Sequence, residues 1–402
     1  MLSKKTFLLV GALLTSLTLL AGPIGRNAAC QRAKVLLGCA EPPELVYVAS
    51  GDEPAYYVFN HQSGKGFVVV AGDDCVDAVL GFSDEESFDP QNVPPALTDW
   101  LSCCEQHVMT ARQGHTVAKR APRRSAEITP MVTARWGQHK PFNRMCPEYD
   151  SGANSAAGCL AIAMAQLLHY WRPSTPTQPI PAYTTEELGL QVEALPATTF
   201  NYDIMADEYD YGDWDEGAQE AARLVRYCGQ AAEMDYNVFS GAVTSGEYLA
   251  RYFGFQQDYT DKYHAEHMID WEDLLYEELE AGRPMLYSGK KMNGSGHVFV
   301  VDGYRDGYFH INWGWYGSSN GYFDITLANP DDPDSAYLWE GYRWVQMAVI
   351  GLQPEVQPDI DTSVEGVRAT MPSAIIYDLS GRHVSNPTHG LYIVNGRKVV
   401  IK

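Results

Sequence analysis

Apolar positions change period several times along this chain, and each change marks an element. Tyr56-Tyr57-Val58-Phe59 and Phe67-Val68-Val69-Val70 are continuous apolar runs of strand length joined by a glycine-containing turn, which predicts a β-hairpin. Pro94-Pro95 then opens a stretch where Leu97, Leu101 and Cys104 recur at helical intervals, predicting a helix over 96–110. The segment 159–171 is apolar almost all round and is stopped by Arg172-Pro173. Its small Ala161, Ala163 and Ala165 permit close packing, while Leu160, Met164, Leu167, Leu168 and Trp171 fill the surrounding space, so it reads as a buried central helix. Farther on, 298–304 and 308–315 read as two buried strands joined by the turn Arg305-Asp306-Gly307. Short β-like segments at 374–378, 391–394 and 399–401 close the chain, and no solenoid-like repeat is present.

Punctuation between these elements divides the 402 residues. Lys4 and Lys5, the mostly apolar run 7–21 and the small pair Ala21-Gly22 predict an export signal over 1–21. The run is shorter than the roughly 20 residues a membrane span needs. A small α+β unit is expected over 22–125. It ends in the basic linker Lys119-Arg120-Ala121-Pro122-Arg123-Arg124-Ser125, an exposed connection open to proteolysis. Residues 126–354 hold the chemistry, and 355–402 form a polar linker and a β-rich tail. With 45% apolar residues, 25 Tyr and 9 Trp, the chain supports a sizeable core. Its net charge of −22 repels phosphate backbones and excludes nucleic acid as a partner.

Two glycine-flanked residues carry the candidate chemistry. Gly158-Cys159 opens the apolar helix, where unpaired N–H groups and a partial positive charge favour thiolate over thiol. Viewed alone, Cys159 is equally at home as a small buried hydrophobe. Gly296-His297 opens the first of the late strands, where a substrate backbone has room to approach. A thiol and an imidazole brought together by folding are the minimum equipment for covalent attack on an acyl carbon. His310, inside the second strand, reads as a satisfied structural histidine. His169 lies ten residues along the helix from Cys159, about 15 Å away, too far to be its partner. The base also needs a group to fix its ring and tautomer. Asn312 and Trp313 are both near enough, and alternation puts them on opposite faces without choosing between them. An oxyanion needs donors; the Cys159 N–H is one, and Gln138 is the best upstream side chain. Whether Cys146 and Cys228 pair is left open by their spacing. The chain has no His-Glu-x-x-His and no paired Cys-x-x-Cys, and Asp331-Asp332-Pro333-Asp334 reads as a plain acidic loop. No metal or cofactor is therefore expected.

At these residues the chain resembles the streptopain family of papain-like cysteine peptidases. The matching segments are Trp136-Gly137-Gln138 with Pro141-Phe142-Asn143, Gly158-Cys159 with Ala163 and Ala165-Gln166, and Met234-Asp235-Tyr236 with Ser240-Gly241-Ala242. The longest runs from Gly296-His297 through Asp302-Gly303 to Asn312-Trp313-Gly314-Trp315 and Gly321-Tyr322-Phe323. The order and separation of Cys159 and His297 also fall in the window of roughly 130–150 residues used by papain-type enzymes. Tyr57-Val58-Phe59-Asn60, Gly66-Phe67-Val68 and Gly72-Asp73-Asp74 resemble that family's inhibitory propeptide.

The resemblance implies an α+β, papain-like fold, a central nucleophile helix on an antiparallel sheet, preceded by a small α+β prodomain. It implies Cys159 as nucleophile, His297 as general base then acid, and Trp313 stacked on the imidazole where other papain-like enzymes use Asn. Gln138 would complete the oxyanion hole, and Ser240 and Gly296 would hold substrate main chain. The prodomain would block the cleft as an intramolecular inhibitor until cut near the basic linker. One departure is the short loop Asn237-Val238-Phe239, which leaves side-chain preference open. In the tail, 377–382 and 390–398 resemble a Bacteroidetes sorting segment, implying outer-membrane secretion machinery as a partner. The expectation is a secreted or cell-surface cysteine endopeptidase made as a zymogen and acting on proteins or peptides. A Cys–His amidase of cell-wall peptides and an inactive protein-binding homologue are the alternatives.

Overall fold

The first apolar runs are continuous because both faces of their sheet are covered. A computed structural model describes residues 22–113, 124–150, 152–263, 266–267, 270–290, 295–325 and 345–355, with strand residues 376–377, 390–394 and 397–401. The expected export signal, most of the basic linker and the loop 331–334 lie outside the described residues. Helix α1 (Arg26–Leu36) precedes four strands, β1 (Glu44–Val48), β2 (Tyr56–Asn60), β3 (Phe67–Ala71) and β4 (Val79–Ser83), and helix α2 (Pro95–Arg112) follows. Strands β2 and β3 form the expected hairpin, with Val58 opposite Val69. Ala29 and Ala33 of α1 cover Tyr57, Phe59, Val68 and Val70. On the other face Leu97, Trp100, Leu101, Cys104 and Val108 of α2 cover Tyr56, Val58, Phe67 and Val69. Pro95 at the first position of α2 supplies a φ already suited to a helix start.

Past residue 125, a small hairpin of β5 (Glu148–Asp150) and β6 (Ala153–Asn154) leads into α3 (Cys159–Trp171). A second small hairpin, β7 (Tyr183–Thr184) with β8 (Gln191–Val192), precedes α4 (Glu216–Ala231) and α5 (Glu247–Tyr252). Asp215 caps α4 by accepting from the Ala218 amide at 2.8 Å. Then follow β9 (Thr260–Tyr263), α6 (Trp271–Glu280), β10 (Met285–Lys290), β11 (Gly296–Arg305), β12 (Tyr308–Asn312), β13 (Gly321–Phe323) and β14 (Val345–Ile350). Asp306 and Gly307, both at positive φ (52° and 90°), close the β11–β12 hairpin in the handedness that tight hairpins require. Helix α3 packs with α4 over one face of this sheet, against Leu286, Val298, Val300, Met347 and Val349. The opposite face, with Tyr287, Phe299, Val301 and Ile311, belongs to the core shared by α2 and α6.

Apart from the two small hairpins β5–β6 and β7–β8, these strands form one antiparallel sheet of ten, in the order β1-β2-β3-β4-β13-β12-β11-β10-β14-β9. The seam between the first unit and the rest is β4 against β13, with Phe82 opposite Tyr322 and Gly81 opposite Phe323. Gly81 has to be glycine: a Cβ there would stand 2.6 Å from the Phe323 ring and 3.1 Å from Trp100. The seam is closed by Ser83 Oγ donating to the Asn320 carbonyl at 2.6 Å and Trp100 Nε1 to that of Asp324 at 2.9 Å. The first unit thus joins the sheet sideways, and its Asp84, Glu85 and Glu86 also pair with Arg305 and Arg135 beyond it. Residues 359–402 are a separate unit, in which β15 (Ile376–Tyr377), β16 (Gly390–Val394) and β17 (Arg397–Ile401) pair antiparallel in that order.

Candidate active site

Helix α3 starts at Cys159 because Gly158 stands outside helical space, at φ 87° and ψ 141°. A side chain at Gly158 would also meet Met234 Sδ at 2.5 Å, so glycine alone fits there. The approach to the helix is fixed from both sides. The Ala157 amide donates to the Gln138 carbonyl at 2.9 Å and the Ala156 amide to that of Asn237 at 3.0 Å. Residues Leu160 to His169 of α3 are all buried, while Cys159 at its mouth is half-buried.

Strand β11 brings its first residues to that mouth. The Val298 amide donates to Cys159 Sγ at 3.4 Å. Burial raises the Cys159 pKa, but the hydrogen bond and charge of His297 and the amides of Val298 and Leu160 outweigh it, leaving the thiol below its ordinary value. The predicted nucleophile and base therefore do meet. Cys146 and Cys228 are free thiols, not a bridge. Burial pushes Cys146 up to about 12 and Cys228 well above the ordinary value.

Pairing separates Asn312 from Trp313. Asn312 lies opposite Val300 and is engaged at both ends of its amide, Nδ2 donating to the Ala134 carbonyl at 2.8 Å and Oδ1 accepting from Gly314 at 3.1 Å. Trp313 lies on the other face, its ring 5.0 Å from Phe299 edge-on and 5.0 Å from Phe323. Its Nε1 donates to the Ser319 carbonyl at 3.0 Å. His297 precedes Phe299 by two residues and so shares the Trp313 face.

The remaining expected residues sit around this pair. Gln138 is buried and tied by its carbonyl to Ala157. The Ser240 hydroxyl donates to the Ala156 carbonyl at 2.8 Å and accepts from the Asn237 amide at 3.0 Å. It braces the loop ahead of the nucleophile. Gly296 opens β11 opposite Lys290. His310 is engaged on both ring nitrogens, by Asp302 at 2.6 Å and Glu85 at 2.9 Å. His169 is buried against the Trp136 ring at 5.1 Å. The Val298 amide went unforeseen, since a backbone donor has no residue-type signature. Among the described residues, no group of three or more His, Cys, Asp or Glu is placed to hold a metal ion. None of their helices is long and apolar enough to cross a membrane.

Comparison with known proteins agrees with this geometry. Residues 136–323 match the Peptidase C10 family and residues 31–108 the Spi protease inhibitor family. Thiol protease/hemagglutinin PrtT of Porphyromonas gingivalis is 29% identical over 419 residues, 94% of this chain and 48% of that protein. The chain thus spans about half the length of that relative. Streptopain of Streptococcus pyogenes is 27% identical over 325 residues, 74% of this chain and 80% of that protein. The solved structure of a Prevotella intermedia prointerpain A fragment superposes with a TM-score of 0.65 at 29% identity, covering 79% of this chain and 100% of the fragment. Neither a cell-wall amidase nor an inactive binding protein appears among these relatives. The chain belongs to the Peptidase C10 family, the streptopain-type cysteine peptidases, with a Spi-type inhibitor propeptide ahead of the peptidase domain.

Proposed function

We propose that this chain is the zymogen of a cysteine endopeptidase that hydrolyses proteins through Cys159 and His297. The observation that carries the reading is the convergence of His297 and the Val298 amide on the Cys159 sulfur at the start of α3. His297 takes the thiol proton, and the thiolate attacks the substrate carbonyl carbon. The Cys159 N–H and Gln138 face the oxygen as it becomes negative. His297 then protonates the leaving amine, and water attacks the thioester with His297 again as base, releasing the acid product. Trp313 walls the imidazole side of the cleft, while Ser240 and Gly296 offer main chain to the substrate.

In this reading 1–21 directs export, 22–125 is the inhibitory prodomain, 126–354 the peptidase and 355–402 a tail read by an outer-membrane secretion machinery. Cleavage near the basic linker, by the enzyme itself or another protease, releases activity. Incubating the chain lacking 1–21 with reductant, beside its Cys159→Ala form, tests this by intact mass and casein digestion. The expected result is that only the parent loses about its first hundred residues and digests casein. Equal casein digestion by the Cys159→Ala form would sink the reading.

A further inference from the structure

We propose that Gln346 positions His297, holding the imidazole nitrogen that faces away from Cys159. This rests on the reading of Cys159 and His297 as the catalytic pair. Strands β11, β10 and β14 set His297, Gly289 and Gln346 in one row, His297 opposite Gly289 and Gly289 opposite Gln346. Residues facing each other across antiparallel strands project on the same side. Two strand spacings put the outer Cα atoms roughly 10 Å apart, and the residue between them is a glycine with no side chain to fill the gap. A glutamine and a histidine reaching toward each other close that distance.

Gln346 is buried, at 5% exposure, and only half its amide is engaged. Its Oε1 accepts from the Tyr287 hydroxyl, whose oxygen accepts from Trp271 Nε1 at 3.2 Å. Its Nε2 has no hydrogen-bond partner among the described residues, and a buried polar group in that condition calls for an explanation. Cys159 lies on the opposite side of His297. The Val298 amide that reaches Sγ points away from β10, as alternate amides of a strand do. The imidazole thus stands between the sulfur and the Gln346 amide. Asn312 cannot take this role, since Ala134 and Gly314 hold its amide.

A primary amide suits a base that changes charge. After a half-turn of the amide, Oε1 accepts from the N–H of the far ring nitrogen in both the neutral and the charged imidazole, which leaves the nitrogen facing Cys159 free to take up and return the proton. Tyr287 follows either orientation, because a hydroxyl both donates and accepts. An uncharged partner also leaves the imidazolium able to give its proton to the leaving amine.

Gln346→Leu and Gln346→Glu, made in the full chain and matured under reductant, test the proposal. Active sites are counted by a stoichiometric thiol reagent, and Cys159 alkylation by iodoacetamide is followed against pH. The Leu variant should keep KM and lose kcat per active site by roughly ten- to a hundredfold. The alkaline limb of its alkylation profile should move to lower pH. The Glu variant should recover most of kcat and move that limb to higher pH. An unchanged kcat per active site, or limbs that stay in place in both variants while fewer sites form, would overturn the proposal and leave Gln346 a structural residue. If the Leu variant does not fold, the Glu limb decides alone, moving up in support or staying put against. Wild-type turnover by His297→Ala would instead sink the catalytic reading itself, whatever the Gln346 variants do.

Discussion

Cys146 and Cys159 pack against the same core, yet their thiols are driven in opposite directions. Burial dominates at Cys146, where the Arg226 charge and the Tyr236 hydroxyl offset it only partly. At Cys159 the imidazole and two amides reverse it. Brief iodoacetamide treatment near neutral pH should therefore label Cys159 well before Cys146, as read by peptide mass spectrometry. Substituting His297→Ala should abolish the preference. Gly158→Ala meets both a positive φ and Met234. It should cut turnover by more than about tenfold, because small displacements of a reacting atom are costly. Cys159 and His297 were legible in the sequence because each sits in a glycine-flanked, element-opening position. Asn312 and Trp313 could not be ranked by spacing, since what separates them is which carbonyls surround each side chain.

Local pattern served best for elements that fold on themselves. The β2–β3 hairpin, α2, α3 and the Asp306-Gly307 turn are all specified by residues within a few positions of one another. The β4–β13 seam is not: it joins segments about 240 residues apart through a three-residue strand, too short for periodicity to register. Gly81→Val should push Phe323 and Trp100 aside and loosen the prodomain while leaving 126–354 folded. Faster trypsin cleavage at the basic linker in this variant, relative to the parent, is the expected outcome. An unchanged cleavage rate would mean that the seam contributes little to docking.

Across the whole molecule, a buried histidine near the middle of the sheet ties the first unit to the rest. His310 of β12 lies between Asp302 of β11 and Glu85 of the prodomain, which also holds Arg135 at 2.8 Å. Glu86 meets the same guanidinium, and the Tyr322 ring, under Arg305, covers the imidazole. Burial alone would lower the His310 pKa, but the two carboxylates raise it to about 9. A raised value means that the stabilisation is complete below the ordinary 6.5 and is lost as pH rises through about 9. Glu85 is shifted below the ordinary carboxylate range despite burial, by the His310 hydrogen bond and charge and by Arg135. Its share disappears only when pH falls through that lowered value. The unfolding temperature of the Cys159→Ala zymogen should accordingly fall as pH is raised from 6.5 to about 9 and level off above that, and His310→Gln should flatten that fall.

Among the described residues, two pairs, Tyr322 with Phe82 and Phe323 with Gly81, make the register between β4 and β13. Detaching the prodomain strands therefore breaks a very short ladder, and what it leaves behind is an open sheet edge. Long exposed edges recruit other chains, and very short ones do not. An edge of three residues, Gly321–Phe323, with Arg305 lying 4.0 Å over the Tyr322 ring, offers too little backbone to template another strand. The brevity that makes the prodomain removable should also keep the matured enzyme from sticking to its own copies.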